Sequence, residues 1–115
     1  MASRCELTQK KCVPCEGGLK PLPPEQAKKL LAEVPGWEFA QESKAIKRCF
    51  KFKNFKQALE FVNKAGAVAE AEGHHPDITF GWGYAEFLLW THAIGGLHEN
   101  DFIMASKINV IPVGA

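Results

Sequence analysis

Residues 54–72 constrain this chain more than any other stretch, because they read as one long helix closed at both ends. Asn54 stands at the N-cap and Gln57 three residues on completes a capping box. Phe55, Ala58, Leu59, Val62, Ala65 and Ala69 then recur at helical spacing along one stripe. Gly73 follows, a residue suited to the left-handed C-cap that ends a helix. A second apolar stripe, Phe61, Ala65 and Val68 with Gly66 beside it, is wider than one sheet needs. A broad core face would explain it, and so would a subunit contact. We expect a homo-oligomer, dimer or tetramer, joined at Phe61, Ala65 and Val68.

The segments around this helix alternate with period two. Residues 37–40 and 46–52 flank a plausible four-residue turn at 41–44, which predicts a hairpin with Ile46, Phe50 and Phe52 on one face. Arg48 interrupts that face and is expected at a strand edge with its stem packed. After the helix, Ile78, Phe80 and Trp82 alternate, and Gly81 and Gly83 flank a turn into a strand over 84–92. Its Ala85, Phe87, Leu89 and Thr91 should lie beneath the helices, leaving Tyr84, Glu86, Leu88, Trp90 and His92 on the open side. Pro24 opens a short helix bearing Ala27, Leu30, Leu31 and Val34, and Gly95-Gly96 turns the chain into a last helix over 99–111. Helix, hairpin, helix, hairpin, helix makes an α+β two-layer sandwich, a four-stranded antiparallel sheet with three helices on one face.

The chain of 115 residues suits one such domain, over 22–115, with residues 1–21 as an N-terminal arm laid over the surface or disordered. Fourteen basic and thirteen acidic residues leave a net charge of +1, which argues for no direct nucleic-acid partner and no membrane. No apolar run reaches the roughly 20 residues of a membrane span. The opening residues lack the apolar core of a secretion signal, so cytoplasm is expected. Cys5, Cys12 and Cys15 lie in the arm without the second ligand pair that a structural zinc site needs. Deleting residues 1–17 is expected to leave folding and activity largely intact.

Three of the four histidines, His74, His75 and His92, fall within nineteen positions. Histidine alone ordinarily gives and takes a proton near neutral pH, so several converging on one pocket suggest acid–base chemistry. Gly73 and Pro76 place the adjacent pair on a helix-to-strand corner, where the turning chain lets both rings reach one space. Zinc is the rival chemistry, but adjacent histidines seldom ligate one ion because their rings diverge, and no metal is expected.

Glu70, His74-His75-Pro76, Thr91-His92, Gly96-Leu97 and Asp101, in that order and spacing, resemble the pterin-4a-carbinolamine dehydratases, also described as dimerisation cofactors of a homeodomain transcription factor. The match runs from about residue 22 to 108, and the sandwich fold agrees with it. The resemblance implies dehydration of 4a-hydroxytetrahydropterin to quinonoid dihydropterin, recycling the pterin of aromatic amino acid hydroxylases without a cofactor. It also implies His74, His75 and His92 as catalytic residues, with Glu70, Pro76, Thr91, Asp101 and Trp37 orienting or binding substrate, although Asp101 would equally serve as a helix cap and Trp37 as core packing. His75 and His92 are expected around the departing hydroxyl, and His74, the more replaceable, at the ring nitrogen. Some members act instead as protein partners, so a helical partner on the long-helix face, with little catalysis, is the alternative. One departure stands out: His98 replaces the usual Thr, which predicts a last helix without its hydroxyl cap and a gain in stability for His98→Thr.

Overall fold

The computed structural model describes Leu7, Gln9, Lys10, Cys12 and residues 20–112. In chain order these form α1 (Pro24–Leu31), β1 (Glu38–Ala40), β2 (Ala45–Lys51), α2 (Phe55–Glu72), β3 (Asp77–Gly81), β4 (Tyr84–Leu89), a 3₁₀ turn (His92–Ile94) and α3 (Glu99–Asn109). The four strands make one antiparallel sheet in the order β1-β2-β4-β3. Three helices and an open sheet are the expected α+β sandwich.

Register follows from which alternate residues are apolar. Ile46 pairs with Leu89 and Phe50 with Ala85, which also pairs with Phe80 from the other side. Ile46, Phe50, Ala85, Phe87 and Leu89 are buried, so the strand face predicted to lie under the helices does so. A one-residue slip would turn this whole set toward water, and that cost fixes the pairing.

Asn54 caps α2 as expected, its Oδ1 accepting from Gln57 N at 2.9 Å. The reciprocal bond falls one residue early, with Gln57 Oε1 accepting from Lys53 N at 3.0 Å. Two of the three residues expected at a subunit contact, Phe61 and Ala65, belong instead to the core, and Val68 is half-buried at its margin. Phe61 is 2% exposed and Ala65 0%, and Phe61 packs on Phe50 and Phe87 with ring centroids 4.7 and 5.8 Å away. Of the inner stripe read from the sequence, Ala58, Ala65 and Ala69 are buried, Phe55 is partly exposed but stacks on Phe80 of β3 at 5.6 Å, and Leu59 is exposed.

Arg48 lies one residue beyond the β1–β2 ladder, which ends at the Glu38–Lys47 pair, so β2 is paired there with β4 alone, at the edge position expected. Its guanidinium lies 4.2 Å from the Phe50 ring centre and donates to Asn109 Oδ1 at 2.7 Å and Pro35 O at 3.0 Å. Burial lowers its pKa from the ordinary value, yet a guanidinium remains a cation in this setting. This knot ties the end of α3 to the hairpin.

α3 is almost wholly enclosed, with Asn100, Asp101 and Ser106 buried beside Phe102, Ile103, Met104 and Ile108. It ends at Asn109, two residues before the expected limit of 111. The arm is anchored where a surface layer was expected. Leu7 is 0% exposed and joins the core cluster, Lys10 Nζ meets Glu99 Oε2 at 3.1 Å, and Cys12 N donates to Glu72 Oε1 at 2.8 Å. Cys5 and Cys15 lie outside the described residues. Among the described residues no helix is long and apolar enough to cross a membrane.

Candidate active site

The site forms where the ends of α2, β4 and α3 meet. Gly73 ends α2 in the left-handed conformation, φ 66°, and His74 N returns to Ala69 O at 3.2 Å. A side chain at Gly73 would strain that backbone, so the sharp corner depends on glycine. The histidine pair therefore leaves the helix end just before Pro76 and β3. On the other side β4 stops at Leu89, earlier than the 84–92 strand expected. Thr91 N donates to Gly96 O at 2.8 Å, and this bridge encloses the 3₁₀ turn that begins at His92. His92 thus sits on a tight turn rather than in a strand, stacked on Trp90 with ring centroids 3.9 Å apart.

The centre of the site is the fully buried carboxylate of Asp101. Its Oδ1 meets His74 Nε2 at 2.6 Å, while Oδ2 accepts from Thr91 Oγ1 at 2.9 Å and His98 N at 3.0 Å. Three donors converge on one anion, placed in the first turn of α3 where the helix dipole also favours negative charge. A carboxylate only accepts, so His74 donates from Nε2 and keeps Nδ1 as the ring's acceptor. His75 Nε2 makes a similar contact with Glu70 Oε1 at 2.7 Å, but on the exposed rim.

His74, His75, Pro76, Thr91 and His92 all line one cavity of about 570 Å³, joined there by Trp90, Cys12, Glu72 and Asn100. That volume falls in the range of small-molecule sites, about 300–1,000 Å³. Histidines and an aromatic surface around such a space can move protons on a flat, polar ring.

Residues 20–111 match the family model described as pterin 4 alpha carbinolamine dehydratase. The chain belongs to that family. It is 53% identical to a Methylococcus capsulatus protein provisionally named pterin-4-alpha-carbinolamine dehydratase, over 96% of this chain and 97% of that one. A similarly named Halorhodospira halophila protein is also 53% identical, over 91% and 96%. A crystal structure described as a transcriptional coactivator/pterin dehydratase from Brucella melitensis superposes with a TM-score of 0.74 at 33% identity, covering 78% of this chain and 96% of that one. A pterin dehydratase-like protein, described as a RuBisCO assembly factor in the alpha-carboxysome, shares the fold at a TM-score of 0.56 and 24% identity, over 64% and 86%.

Of the residues singled out in the sequence, Glu70 and Asp101 do not line the cavity but each holds a histidine that does. Trp37 is the exception. It is buried in the core with Nε1 donating to Asn109 Oδ1 at 2.8 Å, at the opposite end of α3 from Asp101. Eight residues separate those positions, about 12 Å of helix, so Trp37 walls the core and not the cavity. His98 also differs from expectation. It caps α3 itself, Nδ1 accepting from Asn100 N at 3.0 Å, and with Asp101 completes a capping box. An imidazole acceptor takes the place of the hydroxyl.

Trp90 was within reach of the sequence pattern, since it shares the open face of the strand with His92 two residues on. Cys12, Glu72 and Asn100 were not, because no periodicity links an arm, a helix end and a helix start.

Proposed function

We propose that the cavity dehydrates 4a-hydroxytetrahydropterin to quinonoid dihydropterin, returning to the cell the pterin that aromatic amino acid hydroxylases consume. The reaction breaks one C–O bond, removes one proton from a ring nitrogen and releases water. No electrons change hands, so the work asked of the protein is proton transfer and positioning.

The observation that carries this reading is the Asp101–His74 pair, with its remaining ring nitrogen on a residue that lines the cavity. In this reading His74 takes the ring-nitrogen proton through Nδ1, and the buried carboxylate steadies the imidazolium that forms. His75 and His92 act around the departing hydroxyl, where greater exposure suits the release of water. Trp90 offers an aromatic face beside them.

An assay on enzymatically generated 4a-hydroxytetrahydropterin tests the proposal. The rate should rise well above the uncatalysed one and survive exhaustive chelation, because protons are all that moves. A folded protein that adds nothing to the uncatalysed rate would sink it.

The coactivator description of the Brucella melitensis structure favours a second role, protein binding. Phe61 and Ala65 lie in the core, so we assign any such contact, including self-association into a dimer or tetramer, to exposed Leu59 and the exposed edge of Phe55 on α2. Light scattering of the wild type beside Leu59→Lys should show a larger particle that the charge reduces. A monomer in both would remove this reading.

A further inference from the structure

We propose that Cys12, in the segment preceding α1, is a wall of the active site and a specificity-determining residue against which bound pterin rests. This rests on the pterin reading of the cavity and adds to it a segment outside the family-matched residues 20–111.

The argument begins with how firmly the arm is held. Leu7 is fully buried within the core cluster, and Lys10 N closes a turn on Leu7 O at 3.2 Å. Lys10 Nζ then contacts both carboxylate oxygens of Glu99, at 3.1 and 3.3 Å, at the start of α3. Two residues later Cys12 N donates to Glu72 Oε1 at 2.8 Å, and Cys12 Sγ reaches Asn100 O at 3.7 Å. Glu72 closes α2 and Asn100 opens α3, so Cys12 spans the gap between the two helix ends that carry His74 and Asp101. All three residues line the cavity with the histidines.

The chain is pinned again just before α1. Leu22 N donates to Leu97 O at 2.9 Å. Pro21 lies so close to Gly96 that a Cβ there would come within 2.9 Å of the proline Cβ. Gly96 is the residue that bridges Thr91 and closes the turn bearing His92. The chain is thereby attached to the site at Cys12 and again at the His92 turn. A wall in that position limits the shape of ring the cavity accepts and keeps water from the proton-transferring groups, which strengthens every polar contact inside.

Thiol protection tests this on the reduced full-length chain. Iodoacetamide modification of each cysteine is followed by peptide mass spectrometry, with and without saturating 7,8-dihydrobiopterin as a non-reacting probe. Cys12 should be alkylated at least tenfold more slowly with the pterin present, while exposed Cys49 on β2 keeps its rate. In the dehydratase assay Cys12→Trp should raise KM tenfold or more with a smaller change in kcat, and Cys12→Ser should restore a near-normal KM. Equal alkylation of Cys12 in a protein that binds and turns over pterin would overturn Cys12 as a wall while leaving the dehydratase reading intact. A wild type that neither binds nor dehydrates pterin overturns both. The protection measurement needs no variant, so a Cys12→Trp protein that fails to fold does not shelter the idea.

Discussion

Two histidine–carboxylate pairs of nearly equal length sit within one site, and they are unlike in everything else. His74–Asp101 spans 2.6 Å with side chains 12% and 0% exposed, whereas His75–Glu70 spans 2.7 Å with side chains 58% and 81% exposed. Distance alone would rank them together. Surroundings separate them, because the buried carboxylate also receives Thr91 and the His98 amide, while Glu70 faces water that competes for its oxygens and screens its charge. The buried pair fixes a ring, a hydroxyl and a helix start in one arrangement. The exposed pair leaves a ring that can turn.

The largest effect should come from emptying the buried partner. Asp101→Ala strands three donors, and breaking a buried pair from one side costs about 3–5 kcal/mol. Urea denaturation should show a loss of that size, a large share of the roughly 5–15 kcal/mol that holds a domain together. Asp101→Asn keeps the shape and one acceptor and should lose less, giving a folded protein in which activity falls further than stability. An Asp101→Ala protein within 1 kcal/mol of wild type would show that water replaces the carboxylate and that the buried pair is no more special than the exposed one.

Next come the rings. His74→Ala, His75→Ala and His92→Ala should each lower turnover by about 10²-fold, the contribution of one placed proton-transfer group, with native circular dichroism. Sequence reading ranks His74 as the most replaceable of the three, and the buried carboxylate behind it is the reason to expect a loss as large as the others. If His74→Ala keeps most of the activity while His75→Ala loses it, the catalytic weight belongs to the exposed pair.

The contrast also explains what was legible beforehand. Strand faces, caps and helix stripes depend on residues a few positions apart, so the sandwich, the Asn54 cap and the Gly73 corner could be read directly. The cluster His74, His75 and His92 was visible because two of its members are neighbours in sequence. The inner stripe of α2 was legible in Ala58, Ala65 and Ala69, whereas the burial of Phe61 was not, because only the position of the sheet shows how wide a face it covers. Arg48 reads as an edge residue and stands at one, but its partners Pro35 and Asn109 were not legible, because no local pattern links them to it. Cys12 was weighed only as a metal ligand, and its place at the cavity was not legible, since Glu72 and Asn100 lie sixty and eighty-eight residues away. Trp37 could be read either as a wall of the site or as core, because an aromatic residue serves both, and its burial selects the core.

His98 gives a smaller effect on the boundary between the two regions. Its Nδ1 caps α3 while its amide holds Asp101, so His98→Ala removes the cap but spares the backbone donor. A loss of about 1 kcal/mol is expected, with turnover near wild type. His98→Thr, once expected to stabilise a missing cap, should instead be close to neutral, since one side-chain acceptor replaces another. A clear gain in the denaturation midpoint for His98→Thr would mean that the imidazole cap is a poor one.

The smallest effect should fall on the exposed partner. An ion pair at that level of exposure is worth about 0.2–1 kcal/mol at most. Glu70 also lies in the last turn of α2, where the helix dipole disfavours negative charge, so losing the pair and losing the unfavourable charge oppose each other. Glu70→Ala should therefore leave the urea midpoint almost unmoved. Its consequence, if Glu70 orients His75, appears in turnover alone, as a several-fold fall that high salt reproduces in the wild type by screening the exposed contact. The same salt should not weaken the Asp101–His74 pair, which is closed to ions. A wild-type rate insensitive to salt, together with full activity in Glu70→Ala, would show that His75 works without its carboxylate and that the organisation of this site is all on the buried side.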